Sequence, residues 1–98
     1  MTTVVNSESA DTGNDPETSA AAIPVLRAQI DAMDEAIVRL VAERARLSRR
    51  IQTARLNAGG TRVELGRERE ILNHYRGELG PEGPALADAV LQVCRGRR

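Results

Sequence analysis

Apolar residues in the first half of this chain recur in steps of four and three: Leu26, Ile30, Met33, Ile37 and Leu40, then Leu47 and Ile51. Side chains at that spacing stack on one face of an α-helix, so the pattern predicts a helix rather than a strand. Pro24 suits its first turn, where a missing N–H costs nothing. Nothing interrupts the pattern until Asn57, Gly59 and Gly60, which implies one helix of roughly thirty-four residues, about 50 Å long. A rod of that length exceeds a compact domain of this size and is expected to pack against something else, most simply a second copy. Thr61 followed by Glu64 has the form of a capping box and predicts a second helix, with a buried stripe at Ile71, Leu72, Tyr75 and Leu79. Gly80, Pro81, Gly83 and Pro84 end that helix and open a third, whose buried face is read as Leu86, Val90 and Val93 or Cys94. Residues 1–22, rich in Thr, Ser, Asn, Asp and Ala without periodicity, are expected to form a disordered tail, leaving 23–98 as one domain. The expected class is all-α, with three helices and no strand.

Composition sharpens that picture. At 98 residues with a single aromatic, Tyr75, the chain has little bulky material for a core of its own, which again favours helices that bury their apolar faces between copies. Dinucleotide-binding folds and barrels are excluded by length. The fourteen basic residues are all Arg and are balanced by fourteen acids, but Glu8, Asp11, Asp15 and Glu17 lie in the tail. The remainder sets fourteen arginines against ten acids, a surplus of four. Such a surplus suits a small anionic ligand better than a nucleic-acid duplex, and the arginine-rich stretch Arg46, Arg49 and Arg50 is read as a solvated face. One cysteine, Cys94, and one histidine, His74, exclude an internal disulfide and the usual zinc ligand set, so no metal is expected. Cys94 is read as core filler and His74 as a surface residue. With no signal-peptide pattern and no apolar run of membrane-spanning length, a cytoplasmic location is expected.

The chemistry concentrates in the seam of the long helix. Continuing the four-three alternation past Leu40 lands on Arg44 before Leu47. An unpaired buried guanidinium is expensive, so Arg44 must meet an acid, reach solvent or await an anion. Arg55 lies three turns on, within about 20° of the same face and ~16 Å along the axis. Two long cations spaced in this way suit a small dicarboxylate. Equally, Arg44 pairs with Glu68 or Glu64 as a structural bridge, and Arg67 with Glu68 forms an exposed helical pair; at this level both readings stand.

Leu26-Arg27, Ile30, Met33-Asp34, Ile37, Glu43-Arg44, Ala54-Arg55, Gly59-Gly60-Thr61-Arg62 and Arg67-Glu68 together resemble the all-helical chorismate mutases, in particular the short form that works beside the first enzyme of the shikimate pathway. The resemblance covers about residues 23–96. It implies an intertwined homodimer of three-helix subunits whose active sites take residues from both chains, and the rearrangement of chorismate to prephenate for Phe and Tyr biosynthesis without cofactor or metal. It further implies that Arg44 and Arg27 of the partner subunit hold a substrate carboxylate. Arg55 touches a carboxylate and the ether oxygen, Glu68 accepts the substrate hydroxyl with Glu64 nearby, and Arg67 adds positive field near the ring carboxylate. A role for Arg27 from the partner agrees with helix geometry, because Arg27 lies ~26 Å and about 100° from Arg44 on one helix.

Two departures stand out. Relatives often supply a Gln or Glu from the third helix to the ether oxygen and a Ser near the ring carboxylate; here the chain stops at Arg98 and has Gly96. Both imply modest activity alone, and the resemblance to the short form implies activation when deoxy-arabino-heptulosonate phosphate synthase, the pathway's first enzyme, docks and orders residues 94–98. Isochorismate pyruvate lyase shares the scaffold but usually carries a Lys in the loop that reads Gly-Gly-Thr-Arg here. A non-catalytic helical dimerisation or regulatory module is the alternative of a different class.

Overall fold

In a computed structural model, residues 19–60 and 64–96 are described. They form α1 (Ile23–Asn57, 35 residues), α2 (Leu65–Leu79, 15 residues) and α3 (Gly83–Arg95, 13 residues), with no strand among the described residues. The uninterrupted first helix matches the periodicity almost residue for residue. A single 3-10 turn at Ala20–Ala22, closed by Ala22 N–H donating to Ser19 O at 3.0 Å, precedes it, so regular backbone begins three residues inside the stretch expected to be tail. The rest of that tail, 1–18, lies outside the described residues, as do Thr61 to Val63 and the last two arginines.

The chain divides into two units, Met1–Ala36 and Ile37–Arg98. In the first, the described part is the 3-10 turn and the opening of α1, where Leu26, Ile30 and Met33 are all exposed. In the second, α2 and α3 form a hairpin and the remainder of α1 supplies Ala45 to a thin core that also holds Ala87, Leu91 and Cys94. The α1 stripe continues through Ile37, Leu40, Leu47 and Ile51, all exposed; Leu40 keeps 61% of its surface. The face that α1 turns inward carries small and polar residues instead: Ala45 is buried, and Arg44, Ser48, Gln52 and Arg55 are half-buried.

Two expectations are corrected. The buried face of α3 is Gly83, Ala87, Leu91 and Cys94, whereas Leu86 and Val93 stay half exposed; of the residues expected inside, only Cys94 is fully buried and Val90 partly. The reason is close helix approach. A Cβ on Gly83 would sit 2.3 Å from the carbonyl oxygen of Tyr75, so the helices touch backbone to backbone there and only small side chains fit the seam. Leu79, expected in the α2 stripe, is likewise 57% exposed, while Ile71, Leu72 and Tyr75 are partly covered. Second, α2 starts later than the capping box implied. Glu64 is its N-cap in extended conformation (φ −118°, ψ 98°), and its carbonyl, not its side chain, accepts the Glu68 N–H at 3.1 Å. The Glu64 carboxylate is therefore left to do something else.

The Gly83 contact makes a direct prediction. Gly83→Ala should destabilise by about 1–3 kcal/mol through overpacking against backbone, lowering Tm by roughly 4–8 °C per kcal/mol. Gly77→Ala, on the same hairpin with nothing within 4 Å of its would-be Cβ, should instead stabilise by about 0.5–1 kcal/mol. Thermal denaturation followed by circular dichroism distinguishes the two signs.

Candidate active site

The end of α1 fixes the first element of the site. Gly59, at φ +87°, donates to the Leu56 carbonyl at 3.0 Å, and Gly60 N–H donates to the Arg55 carbonyl at 2.8 Å. This pair of bonds is a Schellman stop, and it is centred on Arg55. Gly60 also approaches the side chain: a Cβ there would lie 2.6 Å from Arg55 Cγ. The turn that ends the helix thus confines the stem of the arginine.

Further out, the Arg55 guanidinium donates through Nη1 to Gln52 Oε1 at 3.1 Å, while its Nη2 lies 3.6 Å from Glu64 Oε2. The Glu64 side chain is 56% exposed, so that ion pair is screened and contributes under about 1 kcal/mol. Gln52 is the firmer anchor. Its Nε2 is buried and has no hydrogen-bond partner among the described residues, an arrangement that typically costs about 1–3 kcal/mol.

These groups line a cavity of about 420 Å³ between α1, α2 and α3 of the second unit, within the usual range for small-molecule sites. Arg44, Arg55, Glu64, Arg67 and Glu68, expected from the sequence, all face it. Arg27 lies in the other unit and is not among the lining residues. Arg44 pairs with neither Glu68 nor Glu64; its Nη1 donates to Cys94 Sγ at 3.2 Å. The structural-bridge reading of Arg44 therefore falls away, because Glu64 is beside Arg55 and Glu68 is engaged by Arg95 from the last turn of α3. Nor do Arg67 and Glu68 pair: Arg67 reaches Glu70 at 3.7 Å along the helix surface. His74 is exposed, edge-on to Tyr75, as expected of a surface residue. Cys94 is buried as core filler, but it also holds the Arg44 guanidinium.

Among the lining residues that the sequence does not single out as site residues, three bear on the charge and geometry of the cavity. These are Arg49, expected on the solvated face, Arg95, expected only in the terminal segment, and Gln52, for which the sequence carries no assigned role. Gln52 had a detectable signal, since it stands eight residues after Arg44 and three before Arg55, on the shared helix face. Arg95 had none, because a contact between α3 and α2 depends on how that hairpin packs. Among the described residues the cavity carries five arginines, at 44, 49, 55, 67 and 95, against two glutamates. Its walls suit an anion of more than one charge, and among the described residues no nucleophile and base are paired in it.

Three helices enclosing a cationic pocket define a small all-helical protein built to hold a compact polyanion. Residues 26–96 match the family model of chorismate mutase type II. An intracellular chorismate mutase of Mycobacterium tuberculosis is 44% identical over 75 residues, which are 76% of this chain and 70% of that protein. One from Mycolicibacterium smegmatis is 40% identical over 72 residues, 74% and 69% of the two chains. A solved non-covalent complex of DAHP synthase and chorismate mutase from Corynebacterium glutamicum, with bound transition state analog, contains a chain that aligns with TM-score 0.74 at 40% identity, covering 80% of this chain and 94% of that one. The chain belongs to the type II chorismate mutases, and with that the lyase and the non-catalytic module give way.

Gly60 supplies the test of this geometry. Its φ is not left-handed, so Gly60→Ala acts through the collision with Arg55 rather than through backbone strain. With Arg55 in the role that the family resemblance implies, chorismate turnover is expected to fall about ten- to hundredfold, the usual effect of a misplacement of about an ångström, with helix content by circular dichroism unchanged.

Proposed function

We propose that the cavity of Arg44, Arg55 and Glu68 is the site at which chorismate rearranges to prephenate, and that catalysis is conformational and electrostatic. The observation that carries this reading is the imbalance of five guanidiniums over two carboxylates around one cavity of ligand size. Chorismate is a dianion. Its rearrangement breaks a carbon–oxygen bond while forming a carbon–carbon bond within one cyclic transition state, so no proton, electron or group leaves the molecule. Such a reaction needs only a compressed, near-attack shape and positive charge where the ether oxygen becomes more negative.

In this reading Arg44 and Arg27 of the partner subunit hold the side-chain carboxylate. Arg55 is the main electrostatic catalyst, contacting a carboxylate and the ether oxygen; its screened contact with the exposed Glu64 is weak enough to yield to the substrate. Glu68 accepts the substrate hydroxyl, Glu64 lies beside it, and Arg67 adds field near the ring carboxylate. The homodimer this requires is supported by the apolar stripe of α1, exposed from Leu26 to Ile51 in the single chain. The relatives are named intracellular, which supports action in the cytoplasm.

A DAHP synthase is the proposed partner, on the strength of the complex formed by the Corynebacterium protein. The last turn of α3 supports a role for the C-terminus in that regulation. Cys94 holds Arg44 and Arg95 holds Glu68, so any change in the order of residues 94–98 reaches two site residues at once.

Arg44→Ala and Arg55→Ala should each lower kcat/KM by about 10²–10³-fold or more while the protein stays folded; turnover within a few fold of wild type would remove the mechanism. Mixing the inactive Arg27→Ala and Arg44→Ala chains should restore up to about a quarter of wild-type activity, because statistical heterodimers hold one intact site in two if the site is shared between subunits. Removing the last four residues should abolish the response of turnover to saturating synthase.

A further inference from the structure

We infer that Gln52 is a positioning residue for the reaction, fixing the Arg55 guanidinium at the cavity wall through its carboxamide oxygen. The inference rests on the proposed role of Arg55 and deepens it.

A guanidinium carries only donors, so Gln52 can face Arg55 only with its oxygen, and the observed contact, Arg55 Nη1 to Gln52 Oε1 at 3.1 Å, is of this kind. The consequence falls on the other end of the amide. Turned oxygen-first toward Arg55, Gln52 is left with a buried Nε2 that has no acceptor among the described residues. Buried polar groups are almost always paired, and an unpaired one in a folded protein calls for an explanation at that position. Here the orientation of Arg55 is that explanation: the amide forgoes one pairing to keep the cation in place. Among the described residues no alternative anchor is as firm, since Glu64 is largely exposed and 3.6 Å away. Gly60 limits the Arg55 stem but makes no contact that would aim its head. Neutrality of the anchor matters as well. A carboxylate at position 52 would orient Arg55 at least as firmly but would cancel the field that Arg55 offers the ether oxygen.

The test uses the full-length protein and steady-state chorismate turnover. Gln52→Met, close to the same volume but without the carbonyl, should lower kcat about ten- to hundredfold with KM changed much less. In an Arg55→Ala background the same substitution should cost nothing further, since a residue acting through Arg55 has no effect once Arg55 is gone. Gln52→Glu should be impaired at neutral pH and should recover relative to wild type as pH falls through the carboxyl's titration, because the protonated side chain again offers a neutral carbonyl oxygen. Wild-type kcat in folded Gln52→Met, additive losses in the double variant, or a Gln52→Glu deficit constant with pH would each overturn the inference. Should the methionine variant fail to fold, the Gln52→Glu pH profile decides. Should wild type itself not turn over chorismate, the proposed function fails separately. The anchor is then read from the Arg55 side-chain ¹H–¹⁵N signals: restricted guanidinium rotation in wild type and averaging in either folded variant sustain it, and equal rotation in all three overturns it.

Discussion

The site depends on an uneven electrostatic account: arginines outnumber carboxylates around one cavity, and the geometry keeps the few acids from neutralising the cations that matter. Glu64, freed from any capping duty at the start of α2, stands near Arg55 but in solvent. Glu68 is occupied by Arg95. Arg44 is left with the sulfur of Cys94, a weak acceptor, which orients the guanidinium without setting a carboxylate against it. A cation held in that manner is oriented yet retains its attraction for an incoming anion, the condition that electrostatic preorganisation requires.

The same residues explain why the chain is so lightly packed by itself. Its inward α1 face is given over to Arg44, Ser48, Gln52 and Arg55, which serve the cavity, so the inter-helix core shrinks to alanines, one leucine and one cysteine. Large apolar side chains are placed on the opposite stripe of α1, where a second chain would cover them. Fold and site are thus in competition for one helix, and the proposed dimer resolves it by moving the hydrophobic stabilisation to an interface.

Helix ends do much of the positioning. The Schellman turn at Gly59 and Gly60 both stops α1 and confines Arg55, and the last turn of α3 presents Cys94 to Arg44 on α1 and Arg95 to Glu68 on α2. Because helix termini are the parts most easily frayed or ordered, a site built on them is open to control from outside.

Periodicity and punctuation determined the helices themselves: the four-three steps gave α1 from Ile23 to Asn57, and the glycine and proline clusters marked its end and the turn before α3. Arg44 and Arg55 were legible as a pair because both lie on one helix, where spacing alone sets the angle between them. What local spacing could not supply was everything that depends on two helices meeting. In α3 nearly every turn offers apolar residues on two sides, so only the close approach of Gly83 to Tyr75 decided that Ala87 and Leu91, rather than Leu86 and Val93, go inside. The partners of Arg44, Glu64 and Glu68 were likewise undetermined, since several acids and cations lay within reach in sequence. Tertiary packing chose among them, because an ion pair is selected by distance in space and by access to water, neither of which a one-dimensional pattern contains.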